Sequence, residues 1–564
     1  MSSPSPWIHH YRHPTRWDDP IPAQTMIALF QASAARQGPA PLIDFLGRRY
    51  SYTETFDGAQ RVACGLAAMG YGPGDRIGLF LPNVPHYVAA YYGILMLGAT
   101  VVNFSPLYTA AELADQVADS GTRLLFTLSA KALLPTAVEV LERSGLERLV
   151  VGSVAGALPP AKSLVYRLFR RREIATRPDD PRITAFSALI ANDGGCTVPT
   201  LDPDRDIALI QYTGGTTGTP KGAMLTHGNL AANAEQTARL DPERGRGVDR
   251  ILGVLPLFHV FANTCVLNRT VLTGGEIVML PRFDAGQTLA ALARTGATSL
   301  PGVPTMYRAL IDHPRAAATD FSSLRVCVSG GAPLPLELKQ RFETITGATL
   351  VEGYGLSESS GVVSSNPYLV PGDTGSIGQP IPGTNVRLVD KEDPTRPVAD
   401  GEPGEIVVAG PQIMRGYWQR PDADAATFVT DTTGRRWLRT GDVGLIDADG
   451  FIRIVDRLKD MIAVSRFKVF PSQIEAILHH HPAVREALVV GLPDPYRGEA
   501  PHAYVTVESD AAIDGEALRD WLNPQLGRHE RVDRVVIRDA LPKTMIGKLS
   551  RKDLLAEIAA EHHV

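Results

Sequence analysis

Cysteine is scarce in this chain: four residues among 564, at Cys64, Cys196, Cys265 and Cys327. None has the paired spacing of a zinc site. So few thiols in so long a chain read as reduced cysteines of a cytosolic protein, not as a disulfide framework. An excess of one charge is also missing. The formal net charge is -5, which gives no basic surface for nucleic acid. Met1 to Asp19 holds Pro, His, Arg and Trp where a secretory leader needs an apolar block, so no export is expected. His86 to Phe104 is apolar enough to raise the question of a membrane span. Gly93, Gly98 and Asn103 divide it into a helix and a strand of a buried core. No repeat of fixed period is visible.

What is present points to an α/β protein of more than one domain, with 44% hydrophobic residues to fill its core. Met26, Leu29 and Phe30 share a helical face. Leu42–Leu46 and Arg49–Tyr52 read as a hairpin, and Ser51 with Glu54 as a capping box for the next helix. Strands at 77–81, 101–104, 124–128, 251–255, 276–280, 299–303, 324–328 and 349–352 then alternate with helical patterns, which predicts parallel sheets covered by helices. Beyond Pro371, glycine and proline punctuate short apolar runs, predicting a small β-barrel-like subdomain over about 371–456. A compact α/β unit follows 457–460. Leu158–Ile174 stands apart: Lys162, Arg167, Arg170, Arg171 and Arg172 surround Leu164, Val165, Leu168 and Phe169. This segment, centred on 162–172, reads either as a peripheral contact with an anionic inner membrane face or as a solvated cover helix.

Between the apolar runs Ile207–Ile210 and Ala223–Leu225 lies Tyr212-Thr213-Gly214-Gly215-Thr216-Thr217-Gly218-Thr219-Pro220-Lys221-Gly222. Its glycines allow close approach of the backbone to an anion. The hydroxyls and Lys221 supply donors and positive charge for a polyphosphate. Pro220 precedes the lysine and no helix opens there, so this is not a Walker loop. The stretch resembles the phosphate loop of the adenylate-forming superfamily. With Met224-Leu225-Thr226-His227 it is most similar to that of bacterial fatty-acid CoA ligases.

The resemblance runs from about Tyr50 to Lys552 and implies the remaining site residues. It places ATP against Thr213, Gly214, Gly215, Thr216, Thr217, Gly218 and Lys221. Gly331, Ala332 and Pro333 would lie along the adenine, as would Glu352, Gly353, Tyr354 and Gly355 of the second signature, with Tyr354 stacking on the base. Ser357 would meet the α-phosphate and Glu358 would hold Mg²⁺. Asp442 would accept from the ribose hydroxyls, with Arg457 on the phosphate and ribose side. Lys548 would be the catalytic cation, alongside Glu358, Thr213 and His259. His259, Val260, Val303 and Met306 would line an acyl pocket. No aspartate stands nearby to pair an amino group, so an apolar acid is favoured. Lys459 would be the hinge between an N-terminal domain, 1–456, and a mobile C-terminal domain, 461–564. Ser465, Arg466 and Phe467 would border a coenzyme A tunnel. A homodimer is a further expectation.

The implied activity is two-step: acyl-AMP and pyrophosphate from a fatty acid and ATP, then transfer to coenzyme A. Arg466 stands where the family usually has glycine. That departure raises an alternative acceptor: an amine, a carrier-protein thiol or an internal hydroxyl.

Overall fold

The alternating strands and helices assemble into two large sheets and two smaller ones. The computed structural model describes residues 6–561 apart from 214–219, 370–374, 400, 459, 466, 509–510, 512 and 545–547, and only the backbone at 6, 467 and 468. The first sheet has nine strands. Its parallel centre runs Pro41–Phe45, Glu276–Met279, Arg250–Gly253, Ser299–Gly302, Val326–Gly330, Thr349–Tyr354. Antiparallel edges are formed by Arg48–Ser51 on one side, and by Ser364–Ser365 and Gln379–Pro380 on the other.

The second sheet has eight strands. Ile183–Ala185, Arg148–Gly152, Leu124–Leu128, Arg76–Leu79, Thr100–Asn103 and Ile207–Thr213 are parallel neighbours. Lys221–Thr226 and Gly416–Tyr417 add antiparallel strands beyond them. Leu124–Leu128 is buried at every residue, as a strand covered on both faces must be. The apolar run at 86–104 is indeed a helix, Pro85–Met96, and a strand, Thr100–Asn103. Tyr87, Tyr91 and Tyr92 of that helix are fully buried. Among the described residues, no helix is long and apolar enough to cross a membrane.

Local signals behave as their chemistry requires. The Ser51 hydroxyl accepts from Glu54 N to open the helix Tyr52–Ala68, and Thr109 with Glu112 forms a complete capping box. The β-rich region is a five-stranded antiparallel sheet of Asn385–Val389, Gly404–Ala409, Phe428–Thr430, Arg436–Ile446 and Ile452–Arg457. The C-terminal unit is built on the paired strands Val484–Asp494 and Gly498–Val507, and has its own buried cluster around Ile474, Leu478, Val489 and Leu518.

Two features depart from the sequence reading. Cys64 and Cys196 are joined in a disulfide, which corrects the expectation of reduced thiols for that pair; Cys265 and Cys327 are free and buried. A sequence separation of 132 hid a proximity that only the fold creates. Second, residues 7–17 form a strap across the β-rich region. Trp7 is fully buried against Gly450, Tyr11 Oη donates to Pro380 O (2.9 Å), and Trp17 Nε1 donates to Thr384 O (2.9 Å). The basic segment forms a helix, Pro160–Phe169, none of whose residues is buried.

Candidate active site

The phosphate-loop hairpin closes on Thr213 and Lys221, which face each other in the last pair of the antiparallel strands. The tip, with Gly214, Gly215, Thr216, Thr217 and Gly218, lies outside the described residues. Lys221 is exposed, and its ammonium sits 5.2 Å from the centroid of the Tyr417 ring. The Tyr417 hydroxyl donates to Glu358 Oε1 (2.7 Å). Tyr417 therefore bridges the two motifs expected to handle the triphosphate, although the sequence reading gave it no role. Its only local signal is a short Gly-Tyr-Trp run, too brief to announce a strand.

Adjacent parallel strands put Ser329 and Gly330 beside Glu352 and Gly353. This places the two segments expected to flank adenine side by side at the ends of adjacent parallel strands, the usual ligand position in such sheets. Gly331 leaves the first of these strands at φ +81°, a left-handed conformation that disfavours any side chain. A Cβ there would lie 2.5 Å from Lys548 Cε and 3.1 Å from its Nζ. The lysine of the C-terminal unit is thus seated on the glycine turn of the N-terminal domain. Gly355 is equally constrained: a Cβ on it would meet Gly361 O at 2.0 Å. Ser357 and Glu358 follow in a single 3₁₀ turn, Ser357–Ser359.

The charges around Lys548 are arranged in pairs. Asp442 and Arg457 are cross-strand partners, and Arg457 Nε lies 2.9 Å from Asp442 Oδ1. Tyr354 Oη donates to Asp442 Oδ2 at 2.5 Å. Asp442 is almost fully buried, yet a carboxylate has about four lone-pair sites, so it keeps acceptor capacity for further donors. Burial, together with the Arg457 cation, lowers the Lys548 ammonium to about 8; Asp442 opposes the shift. Burial and then the Lys548 charge lower His259 to about 4, leaving a neutral imidazole at pH 7. Burial raises the Glu352 carboxyl to about 8, so it too is largely neutral there.

Two buried polar atoms in this region, His259 Nε2 and Ser329 Oγ, have no hydrogen-bond partner among the described residues. Such orphans are uncommon in a finished core and typical of a surface awaiting a ligand. Val260, Val303 and Met306, the expected acyl-pocket residues, are buried in the main apolar cluster. Val303 caps the helix Pro304–Ile311, and Met306 N donates back to Val303 O (2.9 Å). Gly331 is followed by Ala332 and Pro333, with no regular element until the helix Leu336–Thr346.

For Mg²⁺, the fit rests on Glu358. One of its oxygens is taken by Tyr417. No group of three or more potential ligands gathers among those residues. A hard ion held here would take most of its shell from phosphate and water, the usual Mg²⁺ arrangement.

Of the expected tunnel residues, Ser465 alone has a described side chain. Ser465 is exposed at a hairpin tip, at φ +57°, and its N donates to Arg497 O (2.6 Å). Arg466 and the hinge Lys459 lie outside the described residues, as does the Phe467 side chain. The structure brings Lys548 to the nucleotide motifs and does not bring Ser465 there.

Comparison with known proteins agrees with this geometry. The AMP-binding enzyme family matches residues 30–418, and the AMP-binding enzyme C-terminal domain matches residues 473–548. A long-chain-fatty-acid–CoA ligase of Bacillus subtilis (strain 168) is 38% identical, with 100% of both chains covered. One from Escherichia coli O6:H1 is 36% identical, with 98% of each covered. The crystal structure of ATP-bound MatB from Rhodopseudomonas palustris superimposes with a TM-score of 0.82 at 28% identity, covering 96% of this chain and 100% of that one. The chain belongs to the AMP-binding enzyme family, whose two modules it carries in order.

Proposed function

We propose that this protein is an AMP-forming ligase that joins a fatty acid to coenzyme A. The observation that carries the reading is Lys548, drawn from the C-terminal unit onto Gly331 beside Asp442, Arg457 and His259. In that position its ammonium neutralises the attacking carboxylate and the charge that builds on the α-phosphate, which is electrostatic stabilisation by a prepositioned cation. Asp442 anchors the ribose, Tyr354 and the turn at Gly331-Ala332-Pro333 flank the base, and Thr213 and Lys221 receive the phosphates. Ser357 meets the α-phosphate. Glu358 would hold Mg²⁺, which would supply positive charge to offset that of the phosphates. The acid's apolar chain is received by Val260, Val303 and Met306, with neutral His259 at the mouth.

No protein nucleophile is required, because reactants are held in line and the leaving pyrophosphate is stabilised. The C-terminal domain, 461–564, then turns about Lys459 in the segment 457–460 and presents Ser465, Arg466 and Phe467 to the thiol of coenzyme A. Relatives that are named CoA ligases along their full length do not favour a non-CoA acceptor. A panel of carboxylic acids assayed with ATP, with and without coenzyme A, tests the reading. Pyrophosphate release with apolar acids, and a thioester only when coenzyme A is present, is expected. Absence of acid-dependent pyrophosphate release across the panel would sink it, whereas pyrophosphate without thioester would move the acceptor away from coenzyme A.

The helix Pro160–Phe169 supports a peripheral membrane contact. Leu164, Val165, Leu168 and Phe169 are 54–77% exposed, among Lys162, Arg167, Arg170, Arg171 and Arg172. An anionic headgroup layer complements both features. Cosedimentation with phosphatidylglycerol vesicles should fall several-fold when Leu168 and Phe169 are changed to Ser; equal binding by the variant would rule out this surface.

A further inference from the structure

Residues 414–418 form a splint between the two motifs that face the triphosphate. At one end Met414 N donates to Glu358 O (2.8 Å). At the other, Trp418 N donates to Gly222 O (2.8 Å), next to Lys221. Between them Arg415 N donates to Met224 O (2.9 Å), and Gly416–Tyr417 pairs with Ala223 and Met224. Tyr417 lies at the centre of this splint, 7% exposed, with its backbone N donating to Asp424 Oδ1 (2.7 Å).

From that fixed backbone its two functional groups reach opposite charges. The hydroxyl donates to Glu358 Oε1 at 2.7 Å, and the ring face lies 5.2 Å below the Lys221 ammonium. Both distances are productive: the first is a charge-assisted hydrogen bond and the second lies within cation–π range. Burial, then the neighbouring carboxylate, push the phenol above its ordinary range, so it remains a donor at any working pH.

We propose that Tyr417 is a positioning residue for adenylation, holding the Glu358 carboxylate in the orientation that accepts Mg²⁺ and parking Lys221 beside it until the triphosphate arrives. With Oε1 tied to the phenol, Oε2 is the oxygen left to the ion, so the carboxylate binds with one orientation instead of searching several. Hydrogen bonds to a ligating group of this kind commonly govern metal affinity by 10–100-fold. The proposal rests on Glu358 as the metal carboxylate.

The test uses the full chain with an α,β-methylene ATP analogue and measures Mn²⁺ affinity by electron paramagnetic resonance. Tyr417→Phe keeps the ring and removes the donor. Its Mn²⁺ dissociation constant should rise about tenfold, as should the Mg²⁺ concentration for half-maximal pyrophosphate exchange, while the KM for the acid and the thermal midpoint stay at wild-type values. Tyr417→Leu, which also lacks the ring, should in addition raise the KM for ATP. Wild-type Mn²⁺ affinity in Tyr417→Phe overturns the proposal, as does a loss of affinity that merely tracks a lowered thermal midpoint. Glu358→Gln separates the two levels: wild-type Mn²⁺ affinity in that variant refutes the metal assignment beneath the proposal.

Discussion

A methyl group at position 331 would occupy space that Lys548 now fills. Gly331→Ala must therefore move a flexible lysine side chain, so the fold survives while the cation is displaced. A displacement near 1 Å from a reacting centre can cost about a hundredfold. Pyrophosphate exchange in Gly331→Ala should fall by about that factor, while thioester formation from supplied acyl-AMP is retained. Equal loss in both half-reactions would contradict this. The same lysine sets a pH limb. It is cationic below about pH 8 and neutral above, so kcat/KM for the acid should decline as pH rises through that value. Lys548→Arg, charged throughout, should lack the decline. These roles were legible because Lys548, Glu358 and Asp442 lie in extended motifs. Tyr417 was not, since it stands out only through two contacts, with residues 59 and 196 positions earlier in the chain.

At the scale of elements, apolar runs marked the central strands of the two large sheets, because parallel strands buried on both faces leave such runs unbroken, but they did not mark Arg148–Gly152, Ile183–Ala185 or the two-residue edge strands Ser364–Ser365, Gln379–Pro380 and Gly416–Tyr417. Nor did they reveal partners. Nothing in the vicinity of Cys64 announces Cys196, which reaches it only after the chain has built five further strands of the second sheet and crossed the short helix Phe186–Leu189. The disulfide clasps the helix Tyr52–Ala68 to the stretch leading into the phosphate-loop strand, Ile207–Thr213. Closing so long a loop constrains the unfolded chain, and breaking such a link typically costs about 2–5 kcal/mol. Cys64→Ser should lower the chemical-denaturation stability by that order. Its adenylation rate at 25 °C should be near wild type, because neither sulfur touches the site. A large fall in rate at unchanged stability would contradict that separation.

For the whole molecule, the docked position of the C-terminal unit is the feature that matters. Ser472 Oγ donates to Val455 O (2.6 Å), Ser472 N donates to Asp456 Oδ2 (3.0 Å), and Arg308 approaches Glu508 at 3.9 Å. The last pair is half exposed and contributes little, so the two bonds of Ser472 are the stronger tie. Ser472→Ala should slow pyrophosphate exchange several-fold relative to thioester formation from acyl-AMP, measured as the ratio of the two rates. An unchanged ratio would show that docking is set elsewhere. Motif order predicts two modules that share one nucleotide, and both family matches occur in that order. The pose in which they meet depends on contacts no motif encodes.

The strap formed by residues 7–17 carries a consequence for biosynthesis. Trp7 is covered by Gly450, and its indole belongs to the same buried cluster as Tyr354 and Ile452. Ribosomes extend chains at about 5–20 residues per second, so that indole emerges tens of seconds before its resting place exists. During translation the nascent protein must keep that aromatic segment unattached and out of the wrong grooves. Only after most of the polypeptide has been made can the first tryptophan fold into place.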